Sequence, residues 1–126
     1  MIYTPISVYF NGSEASYNTD LDQGGSGFDI NHASTVHDVG RETSGGDTYL
    51  TGQMAEVVFI DGSVVAVSSF YDSGSAVDPS GLTFGDDGFH LNFADSSSMG
   101  SDVSGKGNDF SLTNIDSGNQ STNVPG

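Results

Sequence analysis

The chain contains no cysteine and no tryptophan, and lysine and arginine together supply only two of its 126 residues. Without cysteine there is no disulfide, no thiolate metal site and no cysteine nucleophile. A small secreted animal domain of this size ordinarily carries disulfides, so their absence points to a bacterial or viral product. Two basic residues against 17 acidic ones leave a net charge of -15. Such a chain cannot neutralise phosphates, which excludes nucleic acid as a partner and disfavours an anionic membrane surface. Its acidic surface suits solubility in saline water or the binding of cations. Long hydrophobic runs are missing too. The opening MIYTPISVYF has neither a basic region nor an unbroken apolar stretch, so it does not read as a signal peptide, and no run approaches membrane-spanning length. Export by lysis or by assembly into a particle is the expectation.

What remains is rich in turn formers. There are 18 glycines, and hydrophobic residues make up 34% of the chain. The apolar residues, mostly Val, Ile, Phe and Tyr, come in short runs separated by Gly, Ser, Asp and Asn. No convincing 3.6-residue apolar period appears, so the pattern is that of an all-β sandwich or barrel. Residues 1–115 read as one domain and 116–126 as a tail or linker. The strongest strand signal is Gly52 to Gly62, GQMAEVVFIDG, apolar on both faces except for Glu56. It reads as a central strand packed on both sides and stopped by the Asp61-Gly62 turn.

Shorter strands are expected around it. Ile6, Val8 and Phe10 alternate with polar or amphipathic neighbours and end at Asn11-Gly12, a hairpin-turn dipeptide, with Ser13 to Tyr17 as the returning strand. Ser34 to Val39 is a modest strand, and Arg41 to Asp47 a loop tip. Ser63 to Phe70 has strand composition and, across Asp61-Gly62, suggests a hairpin with the central strand. Residues 72–88 read as loop with a turn at Asp78-Pro79-Ser80-Gly81. Phe89, Leu91 and Phe93 alternate with His90 and Asn92, which puts His90 on the solvent face. Phe110 and Leu112 close the series as a last strand after a polar loop, 94–107.

Several residues carry candidate chemistry. Asp95, Asp102, Asn108 and Asp109 offer hard oxygen ligands on a Ser/Gly-rich loop, a donor set that suits Ca²⁺. The same residue types also form turns by bonding their own backbone. Asp20, Asp22, Asp86 and Asp87 read as solvated loop charges. Glycoside hydrolysis needs two carboxylates flanking the scissile bond. Here the best strand carries Glu56 alone, while Glu14 and Glu42 lie in or near loops, so the chain reads as a non-enzyme. His32, His37 and His90 have no metal-ligand spacing. The sequons at Asn11 and Asn119 matter only in a eukaryotic secretory setting. Tyr3, Tyr9, Tyr17, Tyr49 and Tyr71 are aromatic platforms for a sugar or, equally, half-buried packing residues.

Two stretches carry a family resemblance. VYFNG at 8–12 with HDVGRETSGGDTYLTGQMAEVVFIDG at 37–62 resembles the C-terminal half of a laminin-G-like, concanavalin-type domain. GFHLNFADSSSMGSDVSGKGNDFSLTNI at 88–115 is similar to a segment of laminin-G-like virion proteins of tailed marine bacteriophages. The resemblance implies an antiparallel β-sandwich, laminin-G or jelly-roll in kind. Counterparts of the strands that precede Val8 in that family are missing, so the sandwich is expected to be incomplete within one chain. It further implies a non-enzymatic protein on the virion surface, as capsid decoration or as a head- or tail-fibre component. Its partners would be other virion proteins, further copies of itself and a host-surface glycan, without membrane insertion. The alternative is an extracellular carbohydrate-binding module of the same fold with calcium-organised loops.

Overall fold

The computed structural model describes residues 7–16, 36–42 and 48–121. Eight short strands account for its sheet structure: β1 (Tyr9–Phe10), β2 (Ser13–Glu14), β3 (Arg41–Glu42), β4 (Thr48–Tyr49), β5 (Val57–Phe59), β6 (Tyr71–Asp72), β7 (Ser75–Ala76) and β8 (Phe89–Leu91). They form four antiparallel pairs, β1–β2, β3–β4, β5–β8 and β6–β7. Single 3₁₀ turns lie at Val67–Ser69, Pro79–Gly81 and Ser117–Asn119. The fold class is all-β, and no α-helix occurs among the described residues. None of their helices is long and apolar enough to cross a membrane.

The described residues belong to two compact units, one holding 36–42 and 48–53, the other 7–16 and 54–121. In the first, Arg41 pairs with Tyr49 and Glu42 with Thr48. The Arg41 guanidinium lies 5.7 Å from the centre of the Tyr49 ring and 3.9 Å from Asp38. Arg41 therefore opens a strand where the sequence suggests a loop tip; residues 43–47 lie outside the described ones. Val36 to Val39 is not a strand. Its chain is turned at Gly40, whose φ of +75° favours glycine.

In the second unit Asn11 and Gly12 both take positive φ, 49° and 75°, as a two-residue hairpin loop requires. Tyr9 faces Glu14 and Phe10 faces Ser13, as the Asn-Gly dipeptide indicates. A second hairpin of the same kind joins β6 to β7 through Ser73 and Gly74, φ 51° and 90°. The sequence reads residues 72–88 as loop and so misses this hairpin, because Ser-Gly is a weaker hairpin signal than Asn-Gly.

The pairing of β5 departs from expectation. Its partner is β8, with Val57 opposite Leu91, Val58 opposite His90 and Phe59 opposite Phe89. The hairpin expected with 63–70 does not form. Gly62 turns the chain with φ +74°, and Val67–Ser69 is a 3₁₀ turn instead of a strand. Among the described residues β5 has one neighbour rather than the two of a central strand, and its three residues are all half-buried. Phe110 and Leu112 form no strand; the Phe110 N–H makes a single bond to the Gly100 carbonyl at 2.8 Å. The apolar centre of this unit is small. Phe84, Leu91 and Met99 are its buried hydrophobic residues, and aromatic rings extend it. Phe89 stacks on Phe59 at 5.8 Å and meets the edge of Phe110 at 4.8 Å.

Candidate functional site

The polar loop after β8 is held by one carboxylate. Asp102 Oδ1 accepts hydrogen bonds from the backbone N–H of His90 at 2.8 Å and of Ser104 at 2.9 Å. Its Oδ2 accepts from the Ser104 hydroxyl at 2.8 Å and from the Asn108 N–H at 3.0 Å. Partial burial raises the Asp102 pKa, but these hydrogen bonds outweigh it and bring the group down to about 2. The Asp102 N–H itself donates to Asp109 Oδ1 at 2.8 Å. Asn108 extends the clamp, its side-chain amide donating to the carbonyls of Asp86 and Gly88, both at 2.9 Å. Lys106 reaches Asp86 at 3.1 Å.

Three of the four candidate calcium ligands, Asp102, Asn108 and Asp109, thus share one loop, joined through backbone N–H groups. Asp95 stands apart in its own turn. It accepts from the Ser97 hydroxyl at 2.6 Å and the Ser97 N–H at 2.9 Å, and these two bonds lower its pKa. Among the described residues no group of three or more His, Cys, Asp or Glu side chains is placed to hold a metal ion. The bonds from Ser104 to Asp102 and from Ser97 to Asp95 are those of turn chemistry, in which an Asp or Asn side chain accepts from the N–H two residues on. The same bond recurs from Ser80 to Asp78, Ala94 to Asn92 and Gly118 to Asp116.

Beside this loop lies a pair that the sequence separates by thirty-four positions. His90 Nε2 meets Glu56 Oε2 at 2.5 Å. His90 is only 3% exposed, which corrects the solvent-facing position that strict alternation indicates. Alternation fails because both sides of β8 are covered. Phe84 stacks on the imidazole, 6.0 Å away and 7° from parallel, while Phe89 packs between Phe59 and Phe110. Glu56 reaches the ring because Val58, two residues on, is His90's cross-strand neighbour, so Glu56 sits diagonally on the same face. His90 Nδ1 is buried and has no hydrogen-bond partner among the described residues. The pair therefore has a carboxylate and an imidazole but no hydroxyl or thiol bonded to the far nitrogen. Its only signal in the sequence is one charge on an otherwise apolar strand.

The remaining candidates scatter. Glu14 accepts from the Ser7 hydroxyl at 2.8 Å, and Glu42 from Thr48 Oγ1 at 3.3 Å. Asp86 is exposed and bound to Lys106, and Asp87 is exposed. Tyr9 and Tyr49 are exposed, whereas Tyr71 is half-buried, with its ring over Gly12. Asn119 closes a capping box with Asp116, and Gln120 donates to the carbonyls of Phe93 and Ala94, both at 2.8 Å. Tyr3, Tyr17, Asp20, Asp22 and His32 lie outside the described residues. No protein-family model, curated protein or solved structure matches the chain.

Proposed function

We propose that the chain is a non-enzymatic structural protein of a phage particle surface, a capsid decoration or a fibre component. The observation that carries this reading is the segment 88–115, the stretch that resembles marine phage virion proteins. Its Asp and Asn side chains are engaged in holding the chain in place: Asp102 gathers four donors, and Asn108 spans two carbonyls. Side chains spent on internal bonds suit a scaffold that keeps its shape. The net charge of -15 supports the same reading, since an acidic exterior stays soluble at the high local density of a particle surface. In this reading the short β pairs belong to a laminin-G-like or jelly-roll sandwich that neighbouring chains complete, because a sandwich needs two packed layers. Residues such as Val8 and Phe10, the latter 75% exposed, would then meet other virion proteins.

The alternative is a glycan-binding module. The exposed Tyr9 on the tight β1–β2 hairpin favours it, as an aromatic platform on a fixed turn. Two measurements separate the readings. Purified phage particles containing this protein, with no glycan retention by the isolated chain, support the virion protein. A chain absent from particles that is retained on a polysaccharide column, and whose melting temperature falls on calcium chelation, supports the module.

A further inference from the structure

Among the described residues the β5–β8 ladder leaves one edge open. The His90 N–H donates to Asp102, and the His90 carbonyl accepts from the Val103 N–H at 2.9 Å. Both backbone groups of His90 therefore point away from β5, and the outer edge of β8 is occupied. In an antiparallel ladder the residue opposite must point its own groups away as well. That residue is Val58. Its N–H and C=O face outward from β5, and no described residue bonds them. Strand edges are ordinarily protected by extreme shortness, by lysine or proline, by a bulge, by an inward-pointing charge or by a covering loop; β5 is short, three residues, and has none of the other devices among the described residues. Met54 to Ile60, MAEVVFI, has no lysine, proline or glycine. Its single charge, Glu56, is engaged with His90.

We propose that β5 pairs with β5 of a second copy of this chain, antiparallel, about a two-fold axis through Val58. A residue with both backbone groups outward is the one that exchanges two hydrogen bonds with its own counterpart in such a pair. The register is self-complementary. Val57 falls opposite Phe59 of the second copy, and Glu56 opposite its Ile60, so apolar side chains meet and no two acids are opposed. The two Glu56 residues stand four positions apart along the ladder, roughly 13 Å at about 3.3 Å per residue. That exceeds the Debye length of about 8 Å in physiological salt, so their repulsion is largely screened. The overall charge makes the pairing salt-dependent, weaker in dilute buffer. The inference rests on the virion reading only in taking the chain to work as an assembly.

The test is Val58→Pro. Proline removes the outward N–H and leaves the bonds to β8 intact, so the fold survives while the second strand is refused. The expected result is a dimer for the native chain by light scattering in saline buffer, and a monomer with unchanged far-ultraviolet circular dichroism for the variant. Hydrogen exchange on the native chain decides the matter if the variant does not fold. The Val58 amide then gains protection as protein concentration rises. A native chain that stays monomeric, a folded variant that still dimerises, or a Val58 amide that exchanges freely at every concentration overturns the pairing. Presence in purified particles is scored separately, so loss of the edge pairing and loss of the virion reading are distinguishable.

Discussion

His90 and Glu56 form a contact between an imidazole sealed under Phe84 and a carboxylate on the neighbouring strand, 2.5 Å from nitrogen to oxygen. The His90 backbone is engaged too, by Asp102 and Val103. This one residue ties β5, β8 and the following loop together.

Removing Glu56 alone leaves the buried Nε2 of His90 without its partner, and an unsatisfied buried group typically costs about 1–3 kcal/mol. Glu56→Ala is therefore expected to lower unfolding stability by about that much. Adding His90→Leu to it removes the stranded group and should recover part of the loss. Urea titration of the native chain and these two variants measures both steps.

Asp102→Ala should be among the most damaging changes in the second unit. It strips the acceptor from four donors, one of them on buried His90. A loss of about 2–3 kcal/mol is expected from unsatisfied groups of this kind. Asp102→Asn, which keeps one acceptor oxygen, should fall between. Denaturant midpoints rank the three proteins.

Acid should weaken the same loop. The Asp102 pKa is depressed to about 2 from an ordinary value of 3.8, so its contribution is present above that ordinary value. It is lost as pH falls from about 4 through about 2. Asp78 and Asp95 are shifted in the same direction, each by its bonds to a serine two residues on. Backbone amide signals of His90, Ser104 and Asn108, followed by NMR from neutral pH downward, should move together in that window, and Asp102→Asn should abolish the shared transition.

Gly12 and Gly62 make a matched pair. Both have positive φ, 75° and 74°, but a Cβ at Gly12 would lie 2.5 Å from Tyr71 Cδ1, whereas one at Gly62 meets nothing within 4 Å. Gly62→Ala should cost about 1 kcal/mol for backbone conformation alone. Gly12→Ala should cost more, and Tyr71→Ala in the same chain should relieve the excess. Thermal unfolding of the set reads the clash directly.

Much of the local structure was legible from adjacent residues. Asn11-Gly12 marks its hairpin because both residues tolerate positive φ. Asp78-Pro79-Ser80-Gly81 marks its turn because the Asp side chain bonds the Ser80 N–H and proline presets φ. Phe89 to Leu91 is a strand in sequence and in structure. The candidate loop was legible as to residue type. Its turn bonds follow from the spacing of Asp95 to Ser97 and Asp102 to Ser104. What joins Asp102 to His90 and to Asn108 spans twelve and six positions and has no local signature.

By itself, then, the sequence determined the all-β class, the acidic surface and the tight turns at Asn11-Gly12 and Asp78 to Gly81, because these depend on φ preferences, charge and contacts between near neighbours. Only the tertiary structure decided that β5 pairs with β8 rather than with 63–70, that Phe110 and Leu112 form no strand, and that His90 is buried. Strand composition says that a segment will pair, not with which partner. The choice between partners rests on rings and carboxylates brought together from distant positions, Phe59 with Phe89 and Glu56 with His90. Alternation along a strand marks a solvent face only when one side is left uncovered, and at β8 Phe84 closes that side over His90.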